Sequence, residues 1–192
     1  MVDRFARAAL AGCFLLTLGG IAEGKCRSFP SSPDSFESMK RLLHKKLEKR
    51  GDGVVIKFGG AGQILSIFKF DGDRSEVSDS ILQEELKGAT EAIKFATKRR
   101  GDKVMHAAAL PSWTIGAVSF YAETVTATYK EYNVTAFEYI GMSHDTECML
   151  KVRFTNAADT DDRSSFDRYR SYVEKIHALF GSVGGKTGVK SQ

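Results

Sequence analysis

The chain has 192 residues, 42% of them hydrophobic and 27% charged, an ordinary balance for one globular domain. At this length roughly two thirds of the unfolded surface is buried on folding, so the chain needs no staple to be stable. Its formal net charge of +4 is too small to argue for nucleic acid and supports only a weak preference for anionic surfaces.

At the amino terminus, Arg4 and Arg7 precede an apolar run from Ala8 to Leu18, followed by Gly19, Gly20, Ala22 and Gly24. This is the layout of a secretory signal peptide, with cleavage expected after Ala22 or Gly24. The run is too short for a permanent transmembrane helix. The expected organisation is a signal peptide over 1–24, a linker over 25–33, one domain over 34–180 and a flexible tail over 181–192. Leu10-Ala11-Gly12-Cys13 looks like a bacterial lipobox, yet the apolar segment lies mostly after Cys13. Export to the periplasm or beyond is therefore expected in preference to lipidation at Cys13. Cleavage leaves Cys26 and Cys148. In an oxidising compartment these two can pair, or they can remain a leader thiol and a small buried strand residue, and both readings stand.

Ser32-Pro33, or Asp34 with Glu37, is expected to start a helix through about Lys49, with Phe36, Met39, Leu43 and Leu47 as its apolar stripe. Its other side holds Lys40, Arg41, Lys45, Lys46 and Lys49. Such a face is either the solvated side of a core-packing helix or a contact for an anionic surface. Val54, Ile56 and Phe58 then alternate, and Gly59-Gly60-Ala61-Gly62 leads into Ile64 to Phe70. A strand follows the glycines, where a phosphate loop requires a helix, so a β-hairpin is expected.

Ser80 with Gln83 forms a capping box for a helix through about Lys98, with Leu82, Leu86, Ala89, Ile93 and Ala96 on one side. Lys98, Arg99 and Arg100 place positive charge where the helix dipole favours it. Val104 to Leu110 reads as an alanine-rich strand, which Pro111-Ser112-Trp113 separates from Thr114 to Asn156. That long strand-forming stretch reads as a three-stranded antiparallel meander with turns near Lys130–Asn133 and Met142–Thr146. A change of apolar parity near Glu123 and Thr124 predicts a bulge or a bend. In the last strand Cys148, Leu150, Val152 and Phe154 share one face and Met149, Lys151, Arg153 and Thr155 the other. A final helix runs from about Ser164 to Phe180 along Phe166, Tyr169, Val173 and Ile176. The fold class is therefore α+β, an antiparallel sheet made of a hairpin and a three-stranded meander, covered by two or three amphipathic helices.

No catalytic, cofactor or metal motif stands out, and none of those sites is expected. Gly184-Gly185-Lys186-Thr187 looks like the end of a Walker A loop but lacks its first glycine and a following helix. His144, Asp145, Glu147 and Cys148 are metal-ligand types, yet strand alternation sends Glu147 and Cys148 to opposite faces. Glu123 and Glu138 on neighbouring strands are the candidate acid pair. Trp113, Tyr121, Tyr129, Phe137 and Tyr139 are numerous enough to line an apolar ligand pocket or a partner surface, with core and cross-strand pairing the plainer reading.

The strand Ile64–Phe70, the helix after it, and Met149–Thr155 running into a terminal helix resemble small secreted bacterial proteins of uncharacterised function. At fold level the hairpin, helix, meander, helix order is similar to the Mog1/PsbP-like α+β sandwich. That resemblance implies a binding or accessory role and carries no catalytic residue across. The expected function is a secreted or periplasmic non-catalytic domain binding a partner protein or a small apolar ligand. The alternatives are a peripheral envelope protein using the basic helix at an anionic membrane, and a hydrolase with acids from separate strands.

Overall fold

The structure, a computed structural model, describes Cys26, Phe29 and residues 33–48, 53–74, 76–131, 133–145, 148–157 and 161–180. The expected signal peptide with Cys13, most of the expected linker, Lys49 and the expected tail over 181–192 lie outside these residues.

The elements in chain order are β1 (Ser35–Phe36), β2 (Met39–Lys46), β3 (Val54–Gly60), β4 (Gln63–Phe70), α1 (Asp79–Arg99), β5 (Lys103–Ala109), β6 (Trp113–Ile115), β7 (Val118–Tyr129), β8 (Val134–His144), β9 (Met149–Asn156) and α2 (Asp162–Phe180). Among the described residues the fold is mixed, a nine-stranded antiparallel sheet with two helices. Its strand order is β1-β2-β3-β4-β9-β8-β7-β5, with β6 paired to β7 beside that path. The hairpin β3–β4 closes on Ala61 and Gly62, both at positive φ, which gives the two-residue turn whose twist matches its strands. It joins the meander through β4 and β9, in register from Gln63 against Asn156 to Phe70 against Met149.

The segment expected as a basic helix is instead β1 and β2. Glu37, with φ 52°, turns the chain so that Phe36 pairs directly with Met39. Their spacing of three, which suggested a helical stripe, comes from a tight turn. β2 then runs antiparallel to β3, with a bulge between Arg41 and Leu43 that makes Leu42 the extra residue. The cations consequently divide. Lys40 and Lys45 share a face with Gly59 and Val55, whereas Arg41 and Lys46 share the other with Phe58 and Val54.

The two helices take opposite faces. Tyr139, Val152 and Phe154 lie beneath Tyr169, Tyr172, Val173 and Ile176 of α2 in one core. Val125, Ile140, Met142 and Met149, of the opposite parity, lie beneath Leu82, Leu86 and Ile93 of α1 in a second. β7 pairs with β8 without a register shift from Tyr121 to Tyr129. The change of parity at Glu123 and Thr124 is therefore no bulge. Phe120 and Ala122 are buried on the α2 side and Val125 and Ala127 on the other. α1 begins one residue ahead of the expected capping serine, with Ser78 as the cap accepting from the Ile81 amide. At α2, Asp161 accepts from the Ser164 amide at 2.8 Å and Tyr139 donates to the Asp162 carbonyl at 2.9 Å, tying the helix start to the sheet.

Cys26 and Cys148 form a disulfide, and Phe29 packs on Phe180 with ring centroids 4.8 Å apart. Two residues of the stretch expected as a linker are thus core residues.

Candidate functional site

Among the described residues, the α1 face of the sheet is only partly covered. α1 lies mainly over β5, β7 and β8. Beyond its carboxy-terminal end, the floor formed by β4, β9 and β8 stays open as a groove of about 920 Å³, within the size range of small-molecule sites. Ile64, Thr155 and Ala136 form the floor, the Gly59-Gly60-Ala61-Gly62 turn and Leu42 one wall, and Arg100 and Tyr129 the other. Each wall has a local origin. A Cβ on Gly59 would lie 2.6 Å from Leu42 Cδ1, so the bare strand lets the bulged leucine lie across it. Leu42 is 60% exposed and Ile64 43% exposed, which is unusual for branched residues and leaves apolar surface facing the groove.

The opposite wall is set by the end of α1. The Gly101 amide bonds to the Lys98 carbonyl at 2.9 Å and the Asp102 amide to the Thr97 carbonyl at 3.1 Å, with Gly101 at φ 80°. This pair of reversed bonds is a Schellman termination, and it fixes Arg100 and Asp102 beside the sheet. Arg100 Nε donates to Asp102 Oδ2 at 2.9 Å, and the guanidinium stacks 5.3 Å above the centre of the Tyr129 ring. Asp102 is held below the usual carboxylate range, first by the Lys130 amide and then by Arg100, and its hydrogen bond raises Arg100 further.

Under the wall lies Glu138, with no solvent exposure. Arg153 Nη2 donates to one of its oxygens at 2.7 Å and the Tyr129 hydroxyl to the other. Burial, and then the Glu138 charge, push the Tyr129 phenol well above its ordinary value, so it stays a donor. Further along the same face the half-buried Lys151 sits over Phe68 at 4.5 Å and Phe70 at 5.2 Å, its pKa lowered by burial.

The candidate reactive pairs are each committed or enclosed. Glu123 and Glu138 share a face, opposite Ile140 and Val125 respectively, but Glu138 is committed to Arg153 and Tyr129. Ser143 Oγ and His177 Nε2 lie 3.5 Å apart, a spacing of nucleophile and base. Burial lowers the His177 pKa, but Ser143 is 1% exposed and the adjoining cavity of about 30 Å³ has room for no more than about two waters. His144 bonds to Asp79 and to the Asp145 carbonyl, and Cys148 is in the disulfide. Glu147 is outside the described residues.

Of the five aromatic candidates, Tyr129 alone lines the groove. Phe137 and Tyr139 are in the core under α2, Trp113 packs on it against Phe120 at 4.8 Å, and Tyr121 packs against the α1 cluster. Lys40 and Lys45 are exposed on β2, while Arg41 pairs with Asp34 at 2.6 Å. Lys46 is exposed on the opposite face. Leu42, Ile64, Arg100, Glu138 and Arg153 were not singled out as binding residues from sequence. The available signal was Glu138 itself, a carboxylate sharing the parity of Ala136, Ile140 and Met142. A charge on an apolar strand face implies a partner. No protein-family model matches the chain, and comparison with curated proteins finds no match.

Proposed function

We propose that the protein is an exported, non-catalytic domain that binds a small apolar ligand in the open part of its sheet. The observation that carries this reading is the groove of about 920 Å³, walled and floored mainly by apolar atoms and bordered by a few fixed polar groups, the usual composition of a ligand site. Export is supported by the leader pattern of Arg4, Arg7 and Ala8–Leu18 and by the Cys26–Cys148 disulfide, a bond that persists in oxidising compartments. The resemblance to Mog1/PsbP-like sandwiches, which host binding and accessory roles, points the same way.

Titration with the neutral dye Nile red, read by its blue shift, tests the groove. The intact protein is expected to bind it saturably, and Ile64→Asp or Leu42→Asp to weaken binding at least about tenfold, roughly 1.4 kcal/mol. Both positions are already exposed, so neither change threatens the core. Absence of saturable binding, or equal affinity in all three proteins, removes the reading.

A further inference from the structure

We propose, resting on the ligand-binding reading above, that the groove takes a single-chain amphipathic carboxylate, its acyl chain on Leu42, Ile64 and Ala136 and its head group at Arg100 and Arg153. Among the described residues, the charged side chains that line the groove are these two guanidiniums and no carboxylate. Their acidic partners lie behind them. Glu138 is buried under Arg153, and Asp102 lines the neighbouring hollow, which shares Arg100 and Tyr129 with the groove.

Neither arginine is fully used by its partner. Arg100 gives Nε to Asp102, and among the described residues its terminal nitrogens have no hydrogen bond. Arg153, whose side chain is 41% exposed, gives Nη2 to Glu138 and keeps Nε buried, while its other terminal nitrogen has no hydrogen bond among the described residues. A planar fork with donors to spare is suited to a carboxylate. Charge selects among anions. Arg100, Asp102, Glu138 and Arg153 sum to zero, so a monoanion leaves one net charge in the groove and a phosphate dianion leaves two, at greater desolvation cost. Apolar surface on Leu42 and Ile64 requires that most of the ligand be hydrocarbon.

Isothermal titration of the disulfide-intact protein at pH 7.4 decides this, with dodecanoate below its micelle concentration, dodecan-1-ol and acetate as probes. Dodecanoate is expected to bind at least about tenfold more tightly than dodecan-1-ol, and acetate not measurably. Arg100→Gln should weaken dodecanoate about tenfold and dodecan-1-ol by much less. Thr155→Glu, which puts a negative charge on the groove floor beside Arg153, should weaken dodecanoate more than dodecan-1-ol. Equal affinity for the acid and the alcohol overturns the head-group assignment while the groove reading survives. Acetate binding as tightly as dodecanoate, or binding only to vesicles of phosphatidylcholine with phosphatidylglycerol, overturns the single-chain ligand. If neither twelve-carbon probe binds, the groove reading falls as well.

Discussion

Complete burial of the Glu138 carboxylate is tolerable only because Arg153 and Tyr129 supply the hydrogen bonds that water would otherwise make. The pair is asymmetric, since the Arg153 side chain is 41% exposed while that of Glu138 is not exposed at all. Removing the arginine therefore strands a buried charge, whereas neutralising the glutamate releases a cation that water can reach. Arg153→Met is expected to cost about 2–3 kcal/mol, below the range for a fully buried pair because one partner is partly solvated. The double variant Glu138→Gln with Arg153→Met should recover more than half of that loss. Urea denaturation of the four proteins gives the coupling energy, and strict additivity would show that the two groups do not depend on each other. Glu138 could be read from the sequence as an anomaly on an apolar face. Its partners could not, because Tyr129 and Arg153 lie 9 and 15 residues away and only the register of β7, β8 and β9 brings them to it.

At the scale of elements, α2 seats on the sheet through a gap left by Gly141. A Cβ there would lie 2.1 Å from Phe120 Cε1 and 2.4 Å from the Tyr169 hydroxyl, and both aromatic residues have no solvent exposure. Gly141→Ala is expected to cost about 2–3 kcal/mol by overpacking, with weakened near-ultraviolet dichroism from Trp113, whose ring lies 4.8 Å from Phe120. An unchanged urea midpoint would mean that α2 can shift to accommodate a methyl group. The two helices and the meander were legible because their apolar spacing is long and regular. β2 was not, for a physical reason. A two-residue turn between Phe36 and Met39 and a bulge at Leu42 reproduce over a dozen residues the spacings of three and four that a helix has. β7 misled in the opposite way. A strand covered on both faces loses its alternation, and the loss looked like a bulge.

Taken together, the described residues form a sheet with a helix on each face, and among them one face is left open at the end where β3 turns into β4. The disulfide holds the opposite end. Cys148 immediately precedes β9 and Thr155 is close to its last residue, so roughly 20 Å of strand separates the bridge from the groove. The bridge spans a sequence separation of 122, and closing so long a loop removes much of the entropy of the unfolded chain. The loop-entropy account gives about 4–5 kcal/mol for it. Cys26→Ser with Cys148→Ser is therefore expected to lower the unfolding free energy by up to about that amount, with a steeper urea dependence because the freed chain unfolds to a more expanded state. Nile red affinity, measured where the variant is still folded, should be unchanged, because that length of strand separates the groove from the bridge. A loss below about 1 kcal/mol would show that the core already holds this segment in place. A large loss of dye affinity in the folded variant would show instead that the two ends of the sheet are mechanically coupled, and that the groove depends on an anchor at the far end of β9.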